Sequence, residues 1–268
     1  MITTTELTAL AKHYRRELLE KFLVVKQGHP GSVFSMIEVA VALYHGGFVR
    51  FDTERKTFRD SVLISKGHAT VTLYPILAKF GVLPPTEWES WGHSPSILRV
   101  FGNRSIPGID VTSGSLGHGV GVGAGMALAH KRAGSDKRIF AVISEGELYE
   151  GSTWEGLLFA AHYELSNLVV VIDINSLIIL GRTGDCLALN PIKEKISGLG
   201  IPTHECDGHD FDSLVAALSA EGPRNRPKVI LANTTKGKGC SLMENQAHWH
   251  YWNPMNQEQI EQCRRELA

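Results

Sequence analysis

Four short runs along the chain are apolar almost throughout: SVLIS at 61–65, RIFAVI at 138–143, LVVVIDI at 168–174 and KVILAN at 228–233. Continuous runs of this length, as opposed to alternating ones, predict strands buried on both faces of a parallel sheet. A shorter strand is expected near 204–206. Between the strands, 4–25, 33–46, 117–130, 152–164 and 211–220 carry helical patterning, as does 69–81 directly after the first strand. A Pro- and Trp-bearing stretch, 84–107, interrupts the alternation. The segment 236–254 is long, irregular and contains glycines, which in a compact domain marks a functional loop. The expected fold is a single α/β domain over residues 1–268, a parallel sheet flanked by helices on both faces. No internal repeat, low-complexity segment or Pro/Gly/Ser linker divides it.

Composition narrows the function classes. With 268 residues, 43% of them hydrophobic and 21% charged, the chain can bury a substantial core. A formal net charge of −1 provides no basic field for nucleic acid and no polybasic segment for a membrane surface. No run of eighteen apolar residues predicts a membrane span, and the amphipathic N-terminus lacks a signal core. Cys186, Cys206, Cys240 and Cys263 stand far apart without CxxC or zinc spacing, so reduced thiols in the cytoplasm are expected.

Glu145 and Asn175 each lie at the end of an apolar run, thirty positions apart. Ligands of open α/β sheets collect beyond the carboxyl ends of the strands. One carboxylate, one Asn carbonyl and one backbone carbonyl there suit Mg²⁺ bound to a diphosphate. His29 lies in the tight turn QGHPGS, which presents an imidazole or simply joins two helices. Lys66 and His68 follow the first strand, where a helix start could hold an anion or His68 could cap the helix. Five glycines from Gly114 to Gly123 allow a flat ligand or a packed helix to approach the backbone. The embedded GVGVGA is a weak match to a dinucleotide fingerprint, because no apolar strand precedes it and no acidic residue follows at the expected distance. Lys236 and Lys238, taken alone, read as solvated loop lysines, with His250 nearby.

In order, QGHPGS, RDSVLISKGHA, PGIDVTSGSLGHG, ISEGELYEGSTWE, IDINSLIILGRT, CDGHD and KGKGCSLMEN…WH resemble the blocks of thiamine-diphosphate-dependent transketolases, specifically the N-terminal subunit of the split form. They cover most of the chain from about residue 15 to 254. The resemblance implies two-carbon ketol transfer from a ketose to an aldose, with the cofactor as electron sink. It places Glu145, Asn175 and the Leu177 carbonyl on the metal, Mg²⁺ with Ca²⁺ or Mn²⁺ as alternatives. Gly146 and Glu147 are expected beside the diphosphate, Gly114, Ser115 and Leu116 near the thiamine rings, and His68 and His250 at the diphosphate and reacting centre. His29 is expected to handle substrate hydroxyls. Glu150 and Glu155 match a carboxylate relay at the subunit interface, or are surface glutamates.

The family's pyrimidine-binding domain has no counterpart here, so the resemblance implies a separate C-terminal partner subunit, an α₂β₂ heterotetramer and sugar or sugar-phosphate substrates. Two departures qualify the expectation. The usual Asp of the metal motif is Glu145, and the usual Gly-His-Pro block is LRVFGNRSIPG, with Val100 and Phe101 where a histidine is expected and His93 a substitute by another loop path. An acyloin-forming or decarboxylating thiamine diphosphate enzyme, and a non-catalytic homologue without cofactor, are the competing readings.

Overall fold

The computed structural model describes residues 2–93, 95–223 and 225–268. Its centre is a parallel five-stranded sheet of β1 (Ser61–Ile64), β2 (Ile139–Ser144), β3 (Leu168–Ile174), β4 (Thr203–Asp207) and β5 (Lys228–Asn233), in the order β1-β2-β3-β5-β4. Successive side chains point to opposite faces. Val62, Phe140, Val142, Val171 and Ile230 therefore pack on one side with the helices Thr4–Val25 and Ile37–His45. Leu63, Ala141, Ile143, Val170 and Leu231 pack on the other with Gly119–Arg132 and Gly151–His162. Burying an apolar side chain of this size contributes roughly 1.5–3 kcal/mol. Strands whose apolar side chains are buried on both faces thus require a helix layer on each face.

The first helix begins with a capping box between Thr3 and Glu6 and ends where Lys26 adopts a left-handed conformation, φ 53°. Its buried stripe, Leu7, Ala11, Tyr14, Leu18 and Phe22, follows helical spacing. The helix expected over 33–46 is instead two, Pro30–Ser35 and Ile37–His45, separated by Met36 at φ −107°, ψ 9°. Pro30 starts the first of them, because its missing N–H and fixed φ suit the first helical position. The segment after β1 opens as a 3₁₀ turn, Gly67–Thr72, and becomes α-helical only over Leu73–Lys79. Its run Thr70, Val71, Thr72 is β-branched, which crowds an α-helix.

A C-terminal helix, Gln257–Glu266, was not evident from apolar patterning because it is polar almost throughout. Its signal is the Asn256/Gln259 capping box. This helix corrects the expectation of four reduced thiols. Glu266 accepts from the Ser241 amide at 2.8 Å, which docks the helix on the loop and pairs Cys263 with Cys240 in a buried disulfide, Cα atoms 5.2 Å apart. Cys186 and Cys206 are free. Among the described residues no helix is long and apolar enough to cross a membrane.

Candidate active site

The carboxyl ends of β1, β2, β3 and β5 are neighbours, and each delivers functional groups to one pocket of about 390 Å³. Ser144 of β2 lies in register with Asp173 of β3, which brings Glu145 and Asn175 to the same level. The buried Glu145 accepts the Ser176 amide at 2.7 Å through Oε2, and Asn175 Oδ1 accepts the Leu177 amide at 3.1 Å. Ser176 is left-handed, φ 59°, which turns these consecutive amides toward the two oxygens. The carboxylate and carboxamide oxygens thus converge on one turn, with the Leu177 backbone beside them.

Opposite this turn stand three imidazoles from three separate segments. The ring centroids of His29 and His68 are 5.0 Å apart, those of His29 and His250 5.1 Å, and those of His68 and His250 5.4 Å. Two ammonium groups lie behind them. Lys236 Nζ is 3.1 Å from His250 Nδ1, and Lys66 pairs with Asp173 while donating to the Ser32 carbonyl at 3.1 Å. Gly31 makes this assembly possible. A Cβ there would lie 2.8 Å from the Trp249 carbonyl oxygen and 3.2 Å from Lys236 Cγ, and the Gly237 amide donates to the Gly31 carbonyl at 2.9 Å.

Electrostatics follow from this crowding. Burial and the neighbouring Lys236 ammonium push the His29 imidazole down to about 4, and the same two causes, with His29 and Lys66 adding, push His250 to about 3. Burial and Lys66 hold His68 well below its usual range. Burial and Lys66 lower Lys236 to about 8, partly offset by Asp173. Burial raises the Asp173 carboxyl, yet the Lys66 ammonium and hydrogen bonds from Lys66, Ser35 and Thr234 outweigh it and leave the group below its ordinary value. Among the described residues, one carboxylate, that of Asp173, is paired with the two buried ammoniums, on the Lys66 side.

The pocket wall gathers most of the residues expected from sequence: His29, His68, His250, Gly114, Leu116, Gly146, Asn175, Leu177 and Glu150 line it, whereas Glu145 is buried between the lining residues Ser144 and Gly146 and does not itself line it. Three more lie away from it. Glu147 is fully buried and spends its carboxylate on the Ser65 hydroxyl, the Gly117 amide at 2.9 Å and the Ser144 amide at 2.8 Å, so it fastens three loops together and does not face the cavity. Ser115 lines a small separate cavity beside Ser65 and Gly119. Glu155 is exposed on the outer side of its helix, near the exposed Leu158 and Phe159.

Other expectations change in detail. Lys236 is buried, correcting its reading as a solvated lysine, whereas Lys238 pairs near the surface with Glu244 at 3.9 Å. The positive charge at this end of β1 comes from Lys66 and Lys236, because the turn after β1 opens as a 3₁₀ segment too short to carry a helix dipole. The glycine-rich helix uses Gly119 and Gly123 for packing against Ser65 and Leu168. His209 of CDGHD lies outside the pocket, bonded to Glu38 at 3.0 Å and to the Thr235 amide at 2.7 Å. His93 lines a neighbouring groove, and Phe101 occupies the pocket wall. Asp173 was missed by sequence reasoning, although an acid inside an otherwise apolar strand is a visible signal.

This arrangement fits Mg²⁺ and a diphosphate on its own chemistry. A carboxylate, a carboxamide oxygen and an adjacent backbone form a hard-oxygen donor set. The buried Lys236 ammonium, which has no carboxylate partner among the described residues, calls for an anion, and His29 Nδ1 is buried without a partner there. For the diphosphate, comparison with known proteins agrees. Residues 9–268 match the family model for the transketolase thiamine diphosphate binding domain. The chain is 37% identical over 236 residues to an apulose-4-phosphate transketolase subunit of Actinobacillus succinogenes, covering 86% of this chain and 84% of that protein. It is 34% identical to a 6-deoxy-6-sulfo-D-fructose transketolase subunit from a Clostridium species, covering 88% and 87%. The transketolase of Campylobacter jejuni superposes with a TM-score of 0.88 at 23% identity over 100% of this chain, which spans 43% of that structure's chain, and so shares the fold. The chain belongs to the transketolase family, as its thiamine diphosphate binding domain.

Proposed function

We propose that this chain is the diphosphate-binding subunit of a split transketolase, which with a C-terminal partner subunit, thiamine diphosphate and Mg²⁺ transfers a two-carbon ketol unit from a sugar or sugar-phosphate ketose to an aldose. The observation that carries this reading is the meeting of three imidazoles and two buried ammoniums with oxygen donors at one set of strand ends. Glu145, Asn175 and the Leu177 carbonyl would hold the metal. Lys236, His68 and His250 would face the diphosphate and the reacting end. Thiamine diphosphate, when bound, supplies the electron sink that lets a ketose C2–C3 bond break.

The protein's own part is positioning and proton handling. Burial first, and repulsion from the Lys236 ammonium second, keep the imidazoles neutral. A bound diphosphate would offset the repulsive part of that shift and raise their basicity, toward the range where imidazole gives and takes protons most effectively. His29, which lines the pocket, is the group to accept from or donate to substrate hydroxyls. The Actinobacillus relative is itself named as one subunit of its transketolase, and this, with the exposed Leu158 and Phe159 beside Glu155, supports a separate partner in an α₂β₂ assembly. In it Glu150 and Glu155 would form the interface relay.

Isothermal titration with thiamine diphosphate and Mg²⁺ tests the reading, on this chain alone and mixed with the chain encoded beside its gene. Binding and ketol transfer confined to the mixture is the expected result. A stable complex that gives no heat with Mg²⁺, Ca²⁺ or Mn²⁺ would replace it with a non-catalytic role.

A further inference from the structure

Phe101 stands between two cavities. On one side is the histidine pocket, of about 390 Å³, and on the other a groove of about 770 Å³ bordered by Gln27, Trp91, His93, Ser96 and Arg99. The phenyl ring meets His29 edge-on, centroids 5.9 Å apart at 71°, and its Cδ1 lies 3.9 Å from where a Cβ on Gly114 would be. It therefore spans the gap between the His29 turn and the Gly114 turn. The same ring is 40% exposed, so no core packing holds it there. Tyr251 covers another part of His29, centroids 4.9 Å apart, and is also exposed.

The consequence is a matter of room and of chemistry. Small-molecule sites commonly measure about 300–1,000 Å³. The histidine pocket, at about 390 Å³, is near the lower limit although it has to receive both a cofactor's reacting end and a sugar. The space beyond Phe101 is larger and its rim is polar, with Gln27, His93 and Arg99 exposed. A phenyl wall offers no hydrogen bond to a hydroxyl, so a long polyhydroxylated chain that extends past His29 loses solvation against it.

We infer that Phe101 is a specificity-determining residue: its ring partitions the histidine pocket from the adjoining groove and selects acceptor aldehydes short or compact enough to stay on the His29 side. This inference rests on the proposed ketol transfer. Removing the ring joins the two spaces and admits longer polyhydroxylated acceptors, whose distal hydroxyls then reach the polar rim.

The test uses the complex of both subunits loaded with thiamine diphosphate and Mg²⁺, with hydroxypyruvate as donor. Hydroxypyruvate releases CO₂ and its two-carbon ketol unit, and the acceptor becomes a ketose two carbons longer. Glycolaldehyde and D-ribose serve as short and long acceptors, compared in the wild type, Phe101→Ala and Phe101→Trp. The expected result is a ribose-to-glycolaldehyde ratio of kcat/KM at least tenfold higher in Phe101→Ala and lower than wild type in Phe101→Trp. Equilibrium binding of D-ribose to the same loaded complexes without donor supplies a readout free of turnover, and Phe101→Ala is expected to bind it at least fivefold more tightly. Ratios and ribose affinities within twofold of wild type in both variants overturn the role of Phe101 while wild-type transfer to glycolaldehyde still supports the reaction. Absence of transfer to either aldehyde overturns both.

Discussion

Lys66 and Asp173 form an ion pair whose two side chains are each only 1% exposed, directly behind the three imidazoles. Asp173 also accepts from the Ser35 hydroxyl at 2.6 Å, from the Thr234 hydroxyl, and from Asn175 Nδ2 at 3.3 Å. The pair thereby ties the ends of β1, β3 and β5 to the His29 turn. Removing both charges from water costs several kcal/mol each, and the pair persists because further hydrogen bonds share the load.

Breaking it from one side leaves an uncompensated buried charge. Asp173→Asn is expected to destabilise the chain by about 3–5 kcal/mol, read as a lower urea midpoint at unchanged slope. The double substitution Lys66→Met with Asp173→Leu should cost less than the sum of the single changes, because both charges leave together. Additive losses would show that the pair does not act as a unit.

The imidazoles give the fold a pH dependence. His29 titrates at about 4 in the fold against 6.5 when free of its surroundings, so between those values the unfolded chain binds more protons. Stability is complete above about 6.5 and falls as pH drops toward about 4, by at most ~3 kcal/mol for His29, reduced by solvent screening. His45, held at about 4 by burial and Lys79, contributes in the same direction. Asp60, at about 2, acts at lower pH. Urea denaturation at several values from pH 4.5 to 7.5 should therefore show a positive slope that His29→Gln reduces. A slope unchanged by that substitution would mean His29 is solvated.

What the sequence revealed was what depends on local pattern. The four buried strands were legible because their apolar runs are continuous, and Glu145 and Asn175 because each follows such a run. The helix Gln257–Glu266 was not, since a polar helix shows no apolar period and only its cap betrays it. Lys236 reads as a solvated lysine in sequence, because its burial comes from Gly31 and Trp249, more than ten positions away. Glu147 lies two positions from Glu145 and shares its character, yet its hydrogen bonds with Ser65 and Gly117 turn it into a fastening between loops. Burial and partner choice of this kind are set by long-range packing, which one residue's neighbours in sequence do not encode.

Two glycines of one helix should respond in opposite ways. A Cβ on Gly119 would lie 2.2 Å from Ser65 Cβ, where the helix start abuts the end of β1, whereas a Cβ on Gly121 meets nothing within 4 Å. Gly119→Ala is expected to cost about 1–3 kcal/mol, since an overpacked contact displaces backbone. Gly121→Ala is expected to gain about 0.5–1 kcal/mol from helix propensity in the isolated chain. Thermal denaturation of both variants decides the matter, and equal shifts would contradict the close approach at Ser65.

Glu145 allows the metal role to be separated from the structural one. Its Oε2 accepts the Ser176 amide at 2.7 Å, so Glu145→Ala leaves a partly buried N–H without that partner, at a cost of about 1–3 kcal/mol. Glu145→Gln retains an oxygen for that amide and removes only the negative charge. If the carboxylate serves only the Ser176 turn, Glu145→Gln should match the wild type in both stability and cofactor binding. If it also holds the metal, Glu145→Gln should keep nearly full stability yet weaken Mg²⁺-dependent thiamine diphosphate binding by tenfold or more, because Mg²⁺ then loses the one charged ligand of its expected set. Titrations of the two-subunit complex with and without EDTA complete the comparison: chelation should abolish binding in the wild type and change little in a variant that has already lost the metal.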